Sequence, residues 1–317
     1  MKIGLIDVDG KNFPNIALMK ISAHHKKRGD SVEWYDPMFS DDMDIVYMSK
    51  VFSWSTDYMY PIRAKQIIRG GSGYCITTDV HGKEHYDKSN DTQLPHEIEH
   101  EFPDYSIYPE LTNNTAYGYL TRGCPRACDF CHVEAKEGRK AYKVADLSEF
   151  WNGQSNIVLL DPNITACREW RDLFQQLIDS NANIDFSQGL DIRLMTEEKA
   201  EMLKQMKIKM VHFAWDRYED KDVILPKFIE FKQRTNWDWR KMVVYVLCNF
   251  NTTFEQDIER VMTLREIGYA PYIMLYNKES IPKGHNLRKL QRWVNNRIIW
   301  ATTPTFEDYV NFGKEGD

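Results

Sequence analysis

Three cysteines lie within eight positions of this chain and give its clearest chemical signal. Cys124, Cys128 and Cys131 are separated by three residues and then by two, and no fourth cysteine follows at a matching distance. A closed tetrahedral zinc site needs four protein ligands, often supplied by two Cys-x-x-Cys pairs. Three thiolates instead suit a [4Fe–4S] cluster in which one iron has no protein ligand. Because an open iron can bind a small molecule, the spacing predicts a catalytic cluster rather than a structural metal site.

Two other interpretations of the motif stay open from the residues alone. His132 directly follows Cys131 and would complete a Cys3His zinc site, although adjacent residues rarely reach one metal ion. The thiols would otherwise be unconnected core groups, since cysteine is among the most buried residue types. The other three cysteines, Cys75, Cys167 and Cys248, are scattered over predicted strands and helices and are interpreted as core residues.

The cysteine run resembles the signature of the radical S-adenosylmethionine (SAM) superfamily, Cys-x3-Cys-x2-Cys, with an aromatic residue, Phe130, before the last cysteine. The resemblance implies that Cys124, Cys128 and Cys131 hold a [4Fe–4S] cluster whose open iron is chelated by SAM. Phe130 and the backbone of His132 would border the adenine. An electron from a donor such as flavodoxin or ferredoxin would cleave SAM reductively to a 5′-deoxyadenosyl radical, which abstracts hydrogen from a substrate.

Alternating strands and helices must position this motif. Apolar runs predict strands at 117–122, 156–160, 183–187, 209–214, 241–247 and 271–276, with helices near 166–180, 196–206, 219–234 and 253–267. Such alternation predicts a parallel sheet. The resemblance implies that the six strand-helix units form a partial (β/α)6 barrel with the cluster loop after its first strand. Active sites of parallel barrels lie at the carboxyl ends of the strands, which therefore supply the next candidates.

Polar residues follow the second and third of these strands. Asp161 and Asn163 belong to an Asp-Pro-Asn run, which in most proteins is simply a turn. The resemblance assigns both to the amino group of SAM, by charge-assisted hydrogen bonds. Arg193 is the candidate for the SAM carboxylate, because a guanidinium binds carboxylates in a bidentate manner. Gln188 and Asp191 are candidates for the ribose hydroxyls, and the alternative for Asp191 and Arg193 is a surface ion pair.

The fourth and sixth strands supply the remaining candidates. Asp216 follows the fourth strand at a position that commonly faces cofactor or substrate in the superfamily, and it joins the three cysteines as a predicted catalytic residue. Met274 and Tyr276, at the end of the sixth strand, are predicted to contact the purine or the substrate. A general acid or base is expected among Asp216, Tyr276 and His212, and periodicity does not choose between them.

The N-terminal residues form a separate series of predicted strands and helices. Apolar runs and breakers predict strands at 2–8, 31–35, 44–49 and 73–77 and helices at 14–28 and 57–69, which indicates a small Rossmann-like domain. The segment resembles the N-terminal domain of cobalamin-domain radical SAM proteins at Pro14, the Arg28-Gly29-Asp30 turn, Asp44 to Ser49, and Pro103-Asp104-Tyr105. The element that would present a histidine to cobalt is missing, since Asp7-Val8-Asp9-Gly10 contains none. No cobalamin is therefore predicted.

The expected fold is thus α/β, a small Rossmann-like domain followed by a partial (β/α)6 radical SAM barrel. The predicted segments are a Rossmann-like domain at 1–80, a linker at 81–114, the barrel at 115–280 and a C-terminal helical extension at 281–317. Apolar residues of the extension recur at helical spacing, at Leu287, Leu290, Val294 and Ile298. They predict an amphipathic helix packed over the barrel, and the alternative is a basic-aromatic face for nucleic acid.

Composition limits the functional classes. Hydrophobic residues make up 42% of the chain and charged residues 28%, as in an ordinary globular protein. A net charge of −6 argues against bulk electrostatic binding to nucleic acid or an anionic membrane. Without a signal peptide or an apolar run of membrane-spanning length, a cytoplasmic location is expected, where thiols stay reduced.

The substrate is not specified by these residues, and a small molecule or nucleotide is favoured. Methylthiotransferase activity is a nearby alternative, but that group needs a second three-cysteine cluster, and Cys75 is the only cysteine in the N-terminal segment. A different class of function is a zinc- or cluster-binding structural or nucleic-acid-binding module without turnover. The acidic strand ends favour catalysis, because a structural metal site has no use for them.

Overall fold

The computed structural model describes residues 1–80 and 82–311. The chain divides into two compact units, Met1–Leu160 and Asp161–Asp317. This division falls inside the segment 115–280 that the sequence assigns to one domain, and the four predicted segments stay a prediction. His81, in the predicted linker, and residues 312–317, in the predicted C-terminal extension, lie outside the described residues.

The first unit is built from strands and a few short helices. Its strands are β1 (Lys2–Asp7), β2 (Ser31–Trp34), β3 (Met43–Ser49), β4 (Ala64–Gly70), β5 (Ile76–Thr78), β6 (Glu84–Tyr86), β7 (Thr115–Gly118), β8 (Thr121–Arg122), β9 (Tyr142–Lys143) and β10 (Asn156–Leu159). Its helices are α1 (Ile16–Lys27), α2 (His96–Glu99), α3 (Pro109–Thr112) and α4 (Val133–Glu137).

Four parallel strands form the N-terminal sheet, in the order β2-β1-β3-β4. Alternate residues of a strand face opposite sides of the sheet. On β1, Ile3 and Leu5 pack with Leu18 of α1, whereas Ile6 packs on the other side with Val46. Helix α1 begins after Asn15, whose side chain accepts a hydrogen bond from the Leu18 N–H at 3.2 Å. The N-terminal strands therefore form a parallel sheet, and the Rossmann-like domain stays a prediction.

The helix predicted at 57–69 is wrong, because β4 occupies the second half of that stretch. Pro61 lacks a backbone N–H and biases Tyr60 away from helical dihedrals. The residues after it gain strand hydrogen bonds along one side by pairing with β3, where Ile67 lies opposite Val46. Tertiary pairing thus overrides a helical pattern, and β3 connects to β4 through a loop.

The rest of the first unit consists of small paired strands. Strands β5 and β6 form an antiparallel hairpin, which replaces a strand predicted at 73–77 and continues into the predicted linker. Strands β7 and β10 pair in parallel, and β8 pairs with β9 antiparallel. The predicted strand at 117–122 is therefore two elements, β7 and β8, with a break between them.

The second unit alternates strands with longer helices. Its strands are β11 (Asn183–Phe186), β12 (Lys207–Ala214), β13 (Met242–Cys248) and β14 (Ala270–Leu275). Its helices are α5 (Trp170–Ser180), α6 (Glu197–Gln205), α7 (Lys221–Thr235), α8 (Phe254–Glu266), α9 (Asn286–Asn295), α10 (Arg297–Thr302) and α11 (Phe306–Asn311). The four strands are parallel and lie in sequence order. The mixed α/β class with parallel sheets is confirmed.

Helix α9 packs against β14. Asn295 accepts a hydrogen bond from the Ile273 N–H at 2.8 Å and donates to its carbonyl oxygen at 3.0 Å. Leu287, Leu290 and Val294 are buried, as expected of an amphipathic helix. Ile298 is 77% exposed, against the prediction, because the helix ends at Asn295 and α10 begins a new helical axis. None of the helices within the described ranges is long and apolar enough to cross a membrane.

Candidate functional site

The three motif cysteines lie in the loop between β8 and α4 of the first unit. Cys124 and Cys128 are half-buried and Cys131 is exposed. The loop therefore presents three thiols of graded accessibility. It begins directly after β8, the second of the two elements into which the predicted strand at 117–122 divides.

Backbone contacts fix the start of this loop. Gly123 has a φ of 78°, and a Cβ added there would lie 2.2 Å from the carbonyl oxygen of Lys140, so only glycine fits. Its N–H donates to Glu137 Oε2 at 2.9 Å. The N–H of Cys124 donates to the carbonyl oxygen of Gly138 at 3.2 Å. The first cysteine is thus held against the residues that close the loop.

The second and third cysteines are joined by a turn. The N–H of Cys131 donates to the carbonyl oxygen of Cys128 at 2.9 Å, after Ala127 with a left-handed φ of 50°. Within residues 1–80 and 82–311, no three His, Cys, Asp or Glu side chains are grouped to hold one metal ion. The cysteines of a [4Fe–4S] cluster bind different iron atoms, so such ligands need not converge on one point. Thiolates are the ligands that such clusters use, and this loop supplies three of them.

His132 is engaged by a neighbouring hairpin. Its Nε2 atom lies 3.0 Å from Glu84 Oε2 on β6, and Ser53 Oγ donates to the other carboxylate oxygen at 2.5 Å. The rings of His132 and Tyr86 have centroids 6.1 Å apart. Phe130 is half-buried in the same loop. The side chain of His132 therefore has a carboxylate partner at Nε2. Metal-bound histidines commonly have such a partner on their second ring nitrogen, so this contact does not test the Cys3His zinc interpretation.

In the second unit, the hydroxyl group of Thr165 connects two predicted site residues, Asn163 and Asp191. Asp161 and Asn163 are both buried. The hydroxyl of Thr165 donates to Asn163 Oδ1 at 2.7 Å and accepts from the backbone N–H of Asp191 at 3.1 Å. Sequence reasoning missed Thr165, although a hydroxyl two residues after a strand-end asparagine is the available signal.

The ion pair between Asp191 and Arg193, which the sequence offers as the alternative, is present. Arg193 Nε lies 2.8 Å from Asp191 Oδ1, and its Nη1 lies 2.9 Å from Asp220 Oδ2. The guanidinium is therefore already held between two carboxylates. Gln188 is exposed in the turn after β11. Its predicted contact with a ribose stays a prediction.

Asp216 is half-buried after β12, and burial raises its pKa to about 6. The fully buried Arg260 lies beside it and donates to the carbonyl oxygens of Trp215 at 2.6 Å and Leu247 at 2.8 Å. Arg260 also pairs with the buried Asp257 at 2.5 Å. These contacts join the ends of β12 and β13 to α8 and fix the backbone around Asp216.

Met274 and Tyr276 occupy the end of β14. Met274 is exposed, and the backbone N–H of Tyr276 donates to the carbonyl oxygen of Cys248 at 3.0 Å. The Tyr276 ring contacts Phe250, with centroids 5.0 Å apart. Contact of either side chain with a purine or substrate stays a prediction.

Asp185, His212 and Tyr245 form a cluster across β11, β12 and β13, and of these residues only His212 is a candidate from the sequence. The ring of His212 is held by its neighbours. Its Nδ1 lies 2.9 Å from the carbonyl oxygen of Phe186 and 3.7 Å from Asp185 Oδ1. The His212 ring stacks on Tyr245, with centroids 5.1 Å apart and planes 9° apart. Burial lowers the pKa of His212 and raises those of Asp185 and Tyr245, the last to about 12. The sequence signal that could have identified this cluster is the single polar residue between apolar ones on each of the three strands.

No protein-family model and no curated protein matches the chain. Among solved structures, it is similar to the crystal structure of Streptococcus suis SuiB bound to the precursor peptide SuiA, with 13% sequence identity and a TM-score of 0.40. The similarity covers 68% of this chain and 55% of the SuiB chain. The chain therefore spans little more than half the length of that structure.

Proposed function

We propose that the chain is a radical SAM enzyme in which Cys124, Cys128 and Cys131 ligate a [4Fe–4S] cluster. The observation that carries this proposal is the Cys-x3-Cys-x2-Cys spacing with Phe130 before the last thiol, in an accessible loop. When bound, a reduced cluster would supply the electron for cleavage of SAM to methionine and a 5′-deoxyadenosyl radical, which would abstract hydrogen from the substrate. The six strand-helix units are proposed to form the partial barrel of this fold.

The residues of the second unit are proposed to bind SAM. Asp161 and Asn163 offer buried carboxylate and amide oxygens, which suit an ammonium group. Arg193 binds the SAM carboxylate by exchanging one of its two present carboxylate partners. Asp191 and Gln188 would accept hydrogen bonds from the ribose hydroxyls. Phe130, the backbone of His132, Met274 and Tyr276 are proposed to border the adenine or the substrate.

Among Asp216, Tyr276 and His212, the local geometry favours His212 as the general base. Its Nδ1–H donates to the carbonyl oxygen of Phe186, which leaves Nε2 as the proton acceptor. Burial lowers its pKa, so the imidazole stays neutral near pH 7 and retains this acceptor. Asp216, with a pKa of about 6, is mostly ionised at that pH and suits an amine or hydroxyl hydrogen-bond donor.

The substrate class favoured is a small molecule or nucleotide, and the electron donor is a flavodoxin or ferredoxin in the cytoplasm. The decisive experiment is anaerobic reconstitution with iron and sulfide, reduction with dithionite, and chromatography for 5′-deoxyadenosine after addition of SAM. We expect iron and sulfide in near-equal amounts and product from the wild-type chain. Cys128→Ala should lose both, whereas Cys167→Ala, which alters a buried cysteine outside the motif, should keep both.

Other results of the reconstitution experiment would contradict the proposal in different ways. Zinc in place of iron after reconstitution would contradict the proposal and favour a structural metal site. A cluster that survives in Cys128→Ala would show that this thiol is not a ligand. A cluster without SAM cleavage is tested by adding SAM and recording the electron paramagnetic resonance spectrum of the reduced protein. An unchanged spectrum would contradict SAM binding at the cluster.

A further inference from the structure

A cavity of about 200 Å³ in the first unit has no role in the function proposed above. Asn15 at the start of α1, Ser49 at the end of β3, and Gly71 and Ser72 after β4 form one side of it. Parallel α/β sheets bind ligands at this edge, outside the carboxyl ends of their strands. The buried Asn15 donates from Nδ2 to Ser49 Oγ at 2.8 Å, which fixes polar groups at the cavity wall.

Three cations from three different elements line the same cavity. They are Lys20 of α1, Arg122 of β8 and Lys136 of α4. Glu99 is the one acidic residue that lines it with them. The cavity therefore carries an excess of positive charge within a chain whose net charge is −6.

Among the described residues, two of the three cations pair with a carboxylate within 4.0 Å, and Lys136 does not. Lys20 pairs with Glu99 at 3.2 Å, and Arg122 pairs with Glu137 at 2.9 Å. Lys136 Nζ donates to the neutral Ser72 Oγ at 2.9 Å. In the part of the chain that the structure describes, no carboxylate lies within 4.0 Å of that nitrogen. Burial, and then the charge of Arg122, lower the pKa of Lys136 more than the more distant carboxylates of Glu137 and Asp91 raise it, so its ammonium lies in an unfavourable environment.

We propose that this cavity binds an oxyanion of the phosphate class, held by Lys136 and Arg122 with a hydrogen bond from Ser72. A bound anion supplies the charge partner that Lys136 lacks and offsets its proximity to Arg122. Since a water molecule occupies about 30 Å³ of liquid, the cavity has room for a phosphate or pyrophosphate group with a few waters. The phosphate is either free or part of a small metabolite.

Arg122 and Lys136 lie at the two ends of the cysteine loop. Arg122 directly precedes the cysteine loop, and Lys136 lies in the helix that directly follows it. An anion bound to both therefore links the two ends of the loop. The expected result is slower amide hydrogen exchange across residues 122–138 when phosphate is present.

Isothermal titration calorimetry of the full chain with sodium phosphate and with sodium pyrophosphate tests this site, at ionic strength held constant with sodium chloride. Lys136→Met should weaken binding of both ions at least about tenfold, the effect of losing one charge-assisted hydrogen bond. Lys136→Arg should keep binding within a few-fold. The matched control is Lys140→Met, which removes an exposed lysine near the loop and should leave binding unchanged.

The thermal unfolding temperature shows whether Lys136→Met is still folded. Lys136→Met should unfold at the same or a higher temperature than wild type without phosphate, because it removes an unpaired ammonium, and phosphate should no longer raise that temperature. Equal phosphate affinity in wild type and Lys136→Met would overturn the proposal. So would the absence of binding to wild type at millimolar phosphate, or acetate binding as tightly as phosphate. Neither iron nor SAM is needed, so this result is independent of the proposed enzymatic function.

Discussion

His132 Nε2 lies 3.0 Å from Glu84 Oε2, which joins the residue after the third motif cysteine to the β5–β6 hairpin. The hairpin is itself held by the hydrogen bond from Ser53 to Glu84. The end of the cysteine loop is therefore supported by a segment that the sequence assigns in part to a linker.

We expect Glu84→Gln to loosen the cysteine loop with little effect on global stability. The two side chains are 31% and 26% exposed, so the pair contributes less than about 1 kcal/mol to the free energy of unfolding. Hydrogen exchange with mass spectrometry should show faster exchange across residues 124–137. His85→Gln, which alters the next residue of β6 and removes an exposed pair with Asp79, is the control and should leave that exchange unchanged. Unchanged exchange in Glu84→Gln would contradict a supporting role.

The second prediction concerns the protonation of His212. Because burial lowers its pKa, its imidazole should titrate below the ordinary value of about 6.5 and carry its proton on Nδ1. The unfolded chain then binds the proton first, so this residue makes the fold less stable as the pH falls through 6.5. Long-range ¹H–¹⁵N NMR of the histidines gives both the tautomer and the midpoint.

Asp185→Asn is the informative variant for this titration. Its carboxylate lies 3.7 Å from Nδ1 and favours the protonated imidazole, so its neutralisation should lower the His212 midpoint further. A midpoint above 6.5 in wild type, or a proton on Nε2, would contradict the assignment of His212 as a neutral base.

The sequence predicts the second unit well because each of its strands is a short apolar run followed by a helix with clear ends. Helix α8 shows the reason. Thr253 and Gln256 form a capping box, so residues next to each other in sequence determine where this helix begins. The cysteine motif is also local, and its spacing alone carries the proposed chemistry. Such features need no knowledge of the rest of the fold.

Features that depend on pairing between distant segments are not predictable in the same way. The second half of the stretch 57–69 becomes a strand because β3 offers it hydrogen-bond partners. His212 and Tyr245 stack because the register between β12 and β13 places Tyr245 opposite Ala214, two residues after His212. Lys136 looks like an ordinary lysine of a polar helix, and only the fold reveals the cavity around it.

The third prediction concerns Asp257 and Arg260, an ion pair at (i, i+3) spacing whose two side chains are both buried. Removing one partner leaves an uncompensated buried charge, so Asp257→Asn and Arg260→Met should each lower the free energy of unfolding by about 3–5 kcal/mol. Arg260→Met should cost more, because it also leaves the carbonyl oxygens of Trp215 and Leu247 without that donor. Chemical denaturation measures both losses.

The matched control for this pair is another (i, i+3) pair on a helix surface. Glu201 and Lys204 lie 3.0 Å apart and are both well exposed, so Glu201→Gln should change stability little. The double variant of Asp257 and Arg260 should lose less than the sum of the single losses, since neither charge is left alone. Additive losses would contradict a direct pairing.

The fourth prediction uses the raised pKa of Asp216. Burial raises this pKa from 3.8 to about 6, so the unfolded carboxyl loses its proton first as the pH rises. The contribution of this carboxyl group to stability is therefore largest below pH 4, and it falls between about pH 4 and 6, by up to about 3 kcal/mol for a shift of about two units. Asp216→Asn keeps an acceptor for the Leu247 N–H but cannot ionise, so it should lack this fall. Denaturation curves at pH 4, 5, 6 and 7 should show the variant gaining stability relative to wild type up to about pH 6, and parallel curves would contradict the raised pKa.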